Sequence, residues 1–278
     1  MAYWEWGNAN SEHIVLCVHG LSRQGRDFDI LAQALCDAAP GKWRVVCPDV
    51  VGRGKSDWLK DPMGYQIPQY AADILALINH LQPKTLDWVG TSMGGLIGMV
   101  ICGQPNLPLP VQVRKLILND VGPSIEWGAI QRIGQYLGKS VHFDSVQQAA
   151  DAMWAVSTSF GPHTKEQWLA LSQAMVKPSG AGFALHYDPT IAVPFTSATE
   201  ASSKQGEVML WALYDAIKAQ TLLTRGAQSD LLSVATASAM VQRGPKAQLV
   251  EFAGVGHAPT FIALDQVKTV VDFLLGAS

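Results

Sequence analysis

The stretch TLDWVGTSMGGLIGMV, residues 85–100, joins two apolar runs through GTSMGG (90–95). TLDWV has the length and residue types of a buried strand, whereas MGGLIGMVICG (93–103) reads as an apolar helix. Between them, Gly90-Thr91-Ser92-Met93-Gly94 fits the pattern G-x-S-x-G. A strand that turns into a helix this abruptly strains the backbone at its central residue. Small residues at 90 and 94 let neighbouring chain pass close by. Ser92 Oγ is then expected to project from the carboxyl edge of a sheet, with a helix N-terminus behind it. The plainer alternative is a glycine-rich turn whose serine only caps the helix.

The surroundings repeat the strand–helix alternation. HIVLCVHG (13–20), WRVVCPDV (43–50) and RKLILND (114–120) read as further strands, with GRDFDILAQALCDAAP (25–40) and IPQYAADILALINHLQP (67–83) as helices between them. TLLTRG (221–226), SVATASAMVQRG (233–244), QLVEFAG (248–254) and ALDQVKTVVDFLLG (263–276) resume the pattern near the C-terminus. Continuous Val/Ile/Leu strands separated by helices predict an α/β fold whose parallel sheet is covered on both faces. Between about 121 and 211 the alternation stops. FDSVQQAADAMWAVS (143–157) and HTKEQWLALSQAMVK (163–177) read as helices, and no apolar strand run is evident there. Residues 1–120 and 212–278 are therefore expected to form the core, with 121–211 a helical cap, or lid, over the strand edge.

Composition narrows the function classes. Hydrophobic residues make up 48% of the 278 residues and charged ones 15%, enough for a large buried core. A net charge of −3 with no basic cluster argues against nucleic acid or an anionic membrane surface as partner. No apolar stretch is long enough for a membrane span. The four cysteines lack CxxC spacing, so no zinc site is expected. MAYWEWGNAN lacks the basic start and apolar core of a secretory leader, which makes the cytoplasm the expected location. The oligomeric state stays open.

VVGRGKSDW (50–58) contains Gly54-Lys55-Ser56, the way a phosphate-binding P-loop ends. The first glycine of that motif would stand at 49, where the residue is Asp49, and Pro62 and Gly64 follow instead of a helix. Without converging helix-terminal amides there is no phosphate cradle.

A serine hydroxyl needs a base to become nucleophilic. Of seven histidines, His257 in GVGHAP (254–259) stands out, on a glycine-flanked loop directly after the QLVEF strand. An imidazole base in turn needs an acid to fix its tautomer. Asp230, in RGAQSDLL after the TLLTRG strand, precedes His257 by one helix and one strand and is the preferred acid. Asp120, in LNDVGP, is the second candidate. The amides of Leu21, after VHGL (18–21), and of Met93 are the expected oxyanion donors, and His19 is expected to hold that turn through hydrogen bonds.

VHGL, PDVVGRGKSDW, GTSMGG, LNDVGP, RGAQSDLL and GVGHAP, in that order over nearly the whole chain, together resemble the α/β-hydrolase superfamily. The resemblance implies a mostly parallel eight-stranded sheet flanked by helices and a cap inserted after LNDVGP. It also implies Ser92 as nucleophile, His257 as base and Asp230 as acid. GRGKS becomes a structural turn in such a fold. Serine at 92 argues against the dehalogenase and epoxide-hydrolase branches, which need a carboxylate nucleophile. LSRQG (21–25) departs from the glycine- and proline-rich loop usual in carbon–carbon bond hydrolases. The expected activity is hydrolysis of carboxylic esters, lactones or thioesters, with a small-molecule acyl substrate and no metal or organic cofactor. Carbon–carbon or amide cleavage, or non-catalytic binding of a small ligand, are the alternatives. Trp154, Trp211 and Phe143 are candidates for the acyl pocket, within a cap that also offers Trp127, Trp168, Phe160, Met153 and Met175. Arg23, beside the oxyanion turn, is read as a solvated loop residue, with a substrate carboxylate as its alternative partner.

Overall fold

The apolar runs become strands buried on both sides in the computed structural model, which describes residues 1–276. Along the chain come β1 (Tyr3–Gly7), β2 (His13–Val18), α1 (Asp29–Ala38), β3 (Arg44–Pro48), α2 (Ile67–Leu81), β4 (Thr85–Thr91), α3 (Met93–Gly103) and β5 (Val113–Asn119). An intervening segment carries α4 (Trp127–Gly134), β6 (His142–Phe143), α5 (Val146–Ser157), α6 (Lys165–Gln173), β7 (Val176–Ser179), β8 (Gly182–Leu185), α7 (Val193–Thr196) and α8 (Glu200–Ala216). The chain closes with β9 (Gln220–Gly226), α9 (Val234–Gln242), β10 (Gln248–Phe252) and α10 (Leu264–Leu275).

The main sheet runs β1-β3-β2-β4-β5-β9-β10, parallel throughout except for the antiparallel edge pair β1/β3. Among the described residues it has seven strands, not the eight implied by resemblance. The edge is formed by β1, which pairs directly with β3. Alternate strand residues face opposite layers, as the two-residue repeat of a strand requires. Ile14, Leu16 and Val18 join the core under α2, α3, α8 and α9, while Val15 and Cys17 meet Leu31 and Leu35 of α1 and Val270 and Leu274 of α10.

The segment between β5 and β9 departs from the all-helical expectation. It contains a three-stranded antiparallel sheet, β6-β8-β7. Its strands are two to four residues long and include Lys177 and Pro178, too short and too mixed to register as apolar runs. Phe143, Ala149 and Val176 give this unit its own small core. The boundary expected between 211 and 212 falls inside α8. That helix is one continuous rod, and its Tyr214 is buried in the main core, donating its hydroxyl to the Met240 carbonyl at 2.7 Å.

GRGKS forms a turn wrapped around a buried carboxylate. Asp49 accepts the Gly25 amide at 2.8 Å and the Lys55 amide at 2.9 Å, while the Gly54 amide donates to the His186 carbonyl and the Ser56 amide to that of Arg53. The amides that a phosphate would need are already engaged, and the Lys55 ammonium lies 4.3 Å over the Trp4 ring.

The tightest approach in the fold is where α3 leaves β4. A Cβ on Gly94 would come within 1.9 Å of the Val18 carbonyl oxygen, which belongs to rigid backbone. Gly94→Ala is therefore expected to cost about 3 kcal/mol, at the upper end for overpacking, read as a lower urea midpoint at unchanged m-value.

Candidate active site

Ser92 sits between β4 and α3 with φ 51° and ψ −114°, a left-handed backbone that a side chain normally avoids. Backbone hydrogen bonds hold it there: its amide donates to the Asn119 carbonyl at 3.0 Å, and its own carbonyl accepts the Gly95 and Leu96 amides. Gly90 is required beside it, because a Cβ at 90 would lie 2.4 Å from the Gly94 carbonyl oxygen.

His257, on the loop after β10, points its Nε2 at Ser92 Oγ, 3.0 Å away, and its Nδ1 at Asp120 Oδ2, 2.7 Å away. An ionised carboxylate can only accept, so Nδ1 carries the proton and Nε2 is left to accept from the serine hydroxyl. Asp120 is fully buried, and Gly226 N–H and the Ser229 hydroxyl also donate to it at 2.9 and 2.6 Å. The acid beside His257 is thus Asp120, and the preference for Asp230 is corrected. The Asp230 side chain is 47% exposed and forms a two-point ion pair with Arg132 of α4, at 2.6 and 2.9 Å. The physical reason is position at the rim: β5 and β9 are neighbours, paired Asn119 to Thr224, so both acids follow the carboxyl ends of adjacent strands. Asp120 follows the last residue of β5 immediately, whereas Asp230 lies beyond the turn after β9, from which Ser229 rather than Asp230 reaches Asp120.

Sequence reading also missed two anchors of the histidine loop. Buried Asn119 donates to the Pro259 carbonyl at 2.8 Å and to Thr91 Oγ1 at 3.0 Å, and it accepts from the Thr224 hydroxyl at 2.8 Å. Ser159, from the segment between β5 and β9, donates its hydroxyl to the His257 carbonyl at 3.0 Å, while its own carbonyl accepts the Gly256 amide at 2.6 Å.

The VHGL turn lies against the serine: a Cβ on Gly20 would be 3.7 Å from Ser92 Cβ. Among the described residues, the Leu21 and Met93 amides donate to no protein acceptor. His19 holds this turn. Its Nε2 accepts the Val50 amide at 2.9 Å, which leaves Nδ1 protonated and donating to the Gly20 carbonyl at 2.7 Å. Complete burial, reinforced by the charges of Arg53 and Arg23, pushes the imidazole down to about 3. It is therefore neutral, with no part in moving protons at ordinary pH. Arg53 braces the same turn from below, its Nε donating to the Leu21 carbonyl at 2.8 Å.

A family model described as the alpha/beta hydrolase fold matches residues 13–137. The 3-hydroxybutyrate-oligomer hydrolase of Cupriavidus necator is 48% identical over 281 residues, covering 100% of this chain and 93% of that protein. The chain belongs to the α/β-hydrolase fold family. Two solved structures share its fold along almost its whole length. One, titled as a hydrolase of Rickettsia typhi, has a TM-score of 0.87 and 31% identity over 99% of this chain and 91% of the other. The other, an alpha/beta hydrolase of Novosphingobium aromaticivorans, has a TM-score of 0.83 and 33% identity over 98% of this chain and 92% of the other.

In this α/β-hydrolase a cavity of about 250 Å³ opens onto Ser92 and His257, between the core rim and the segment joining β5 to β9. Met153, Val156, Phe160, Met175 and Leu185 form much of its apolar wall. Of the aromatic residues singled out from sequence, Phe143 lines it. Trp154 does not: it packs edge-on against Trp168, 4.9 Å between ring centroids, inside a separate apolar cluster. Trp211 lies on α8 with its indole donating to Ser124 Oγ at 3.0 Å and the Arg243 guanidinium 4.3 Å above it. Trp154 thus packs within its own segment, against Trp168 and His163, whereas Trp211 joins α8 to Arg243 beyond β9. Arg23 lines the cavity and is not a solvated loop residue. Its guanidinium is 12% exposed and held in two places by Asp27, each at 2.7 Å. No helix among the described residues is long and apolar enough to cross a membrane, and no three His, Cys, Asp or Glu side chains converge as metal ligands there.

Two outcomes follow from this geometry. Asp120→Asn should lower kcat on p-nitrophenyl butyrate by about 10⁴-fold, because an amide favours the wrong imidazole tautomer; Asp230→Asn should stay within about threefold of the unmodified hydrolase, as for an exposed ion pair. The second concerns pH. Between the ordinary value of 6.5 and the buried value of about 3, the unfolded chain protonates His19 while the folded one does not. This contribution is complete above 6.5 and diminishes on acidification, by up to about 1.4 kcal/mol per pH unit. Urea unfolding of His19→Gln from about pH 7 to about pH 4.5 should give lower stability with a shallower pH dependence than the unmodified chain.

Proposed function

We propose that this hydrolase cleaves carboxylic esters through an acyl-enzyme on Ser92, and that its substrates are short oligoesters of the 3-hydroxybutyrate type. The observation that carries the reading is the unbroken hydrogen-bond chain Ser92–His257–Asp120 at the floor of an apolar cavity. The similarity to the C. necator oligomer hydrolase along the whole chain supports the substrate class.

In this mechanism His257 Nε2 takes the Ser92 proton as Oγ adds to the ester carbonyl, and Asp120 stabilises the imidazolium. The Leu21 and Met93 amides receive the oxyanion, each worth roughly 3 kcal/mol in the transition state. Collapse of the tetrahedral intermediate breaks the ester C–O bond, and His257 returns its proton to the departing alcohol. Water then enters, gives its proton to His257 and adds to the acyl carbon. Collapse of this second intermediate breaks the acyl C–Oγ bond, His257 returns its proton to Ser92 Oγ, and the acid leaves. The segment between β5 and β9 acts as the cap, whose apolar wall holds the acyl chain and limits water at the serine. The four free thiols accord with a reducing compartment such as the cytoplasm.

The test combines labelling with turnover. A fluorophosphonate should add covalently to the intact hydrolase but not to Ser92→Ala, and only the intact form should convert 3-hydroxybutyrate trimer to smaller acids. Trimer cleavage by Ser92→Ala at an undiminished rate would end the acyl-enzyme reading. Labelling without trimer cleavage would leave a serine esterase with a different substrate.

A further inference from the structure

We infer that the cavity selects substrates with a free carboxylate on the alcohol side of the scissile ester, and that Lys139 receives that carboxylate. The inference rests on the oligoester reading above and deepens it.

Three charged groups line the cavity, and all are cationic: Arg23, Arg132 and Lys139. No carboxylate lines it among the described residues. The two arginines are already neutralised, Arg23 by Asp27 and Arg132 by Asp230, through two-point ion pairs. No ion pair among the described residues engages the Lys139 ammonium, so the lining carries one uncompensated positive charge. Lys139 is solvent-exposed, so its charge acts at the outer edge of the cavity, where a lining of one sign raises the local concentration of anions.

The backbone fixes where that charge stands. Gly138 just before it has φ +76°, and a Cβ there would lie 2.5 Å from Ala192 Cβ and 2.7 Å from the Pro189 carbonyl oxygen. The turn after α4 is thus packed against the chain at 189–192, which sets Lys139 at the rim. Lys139 also lines an adjoining hollow of about 310 Å³ and shares Val141, Leu185 and Tyr187 with both.

The substrate chemistry supplies the matching anion with a fixed direction. An oligoester of a hydroxy acid ends in a hydroxyl at one terminus and a carboxylate at the other. Whichever ester is cut, the acyl fragment retains the hydroxyl end and the departing alcohol retains the carboxylate. A cation that recognises the carboxylate therefore defines the leaving-group side and sets the direction in which the chain lies across Ser92.

The experiment compares 3-hydroxybutyrate trimer as the free acid with the same trimer as its terminal primary amide. The intact hydrolase should show a KM about fivefold lower for the acid, with kcat values alike, the upper range for one solvent-exposed ion pair. Lys139→Met should raise the acid KM about fivefold, leave the amide unchanged, and keep kcat within about twofold; Lys139→Arg should restore most of the preference. Equal KM values for acid and amide, or an acid KM that does not move in Lys139→Met, would overturn the assignment while oligoester hydrolysis stands. Cleavage of neither trimer alongside turnover of p-nitrophenyl butyrate would overturn the oligoester reading and this inference with it.

Discussion

The site depends on one close approach of backbone to backbone, where α3 passes beneath the end of β2. Gly94 lies against the Val18 carbonyl and Gly90 against Gly94 itself, at separations that admit no side chain. That packing leaves Ser92 as the residue forced into a left-handed conformation. A strained non-glycine backbone persists only where its surroundings over-determine it, and here the hydrogen bonds to Asn119, Gly95 and Leu96 do so. The reward is positional. The hydroxyl leaves the sheet edge at a fixed angle, with the amide of Met93 behind it and the Gly20–Leu21 turn alongside.

The other groups reach that hydroxyl from separate strand ends of the same sheet. Asp120 follows β5, His257 comes after β10, and His19 follows β2. Parallel strands deliver their carboxyl ends to one rim, so residues 137 apart, such as Asp120 and His257, become hydrogen-bonded neighbours. The two histidines at this rim have divided roles set by environment. His257 keeps a route to the cavity, whereas His19 is sealed between backbone groups that fix its tautomer and suppress its charge.

Much of this was legible in the sequence because burial writes periodic patterns. The inner strands and α2, α3 and α10 emerge at nearly their expected bounds, and the motifs at Ser92 and His257 mark where the chain turns at the rim. What was illegible depended on spacing across the sheet or on very short elements. Asp120 and Asp230 both follow strands, and only the β5/β9 pairing distinguishes the residue at the strand end from the one beyond the turn. β1 alternates half-buried residues at an antiparallel edge and so lacks the continuous apolar run of its neighbours. The hairpin β7–β8 turns through Gly180 after four residues on each side, too few for a period to register. Trp154 and Trp211 illustrate a further limit: hydrophobicity identifies what is buried but not which cavity, if any, it faces.

The link from Ser159 to the histidine loop constrains how this architecture can diversify. A hydroxyl and a carbonyl of the segment between β5 and β9 fasten the very backbone that carries the imidazole. A chimaera that swapped residues 121–199 for those of another member would exchange the pocket wall and unmoor the His257 imidazole in the same step. Grafts that retain the stretch around Ser159 are the ones in which the pocket wall can be rebuilt without dismantling the hydrogen-bond chain from Ser92 to Asp120.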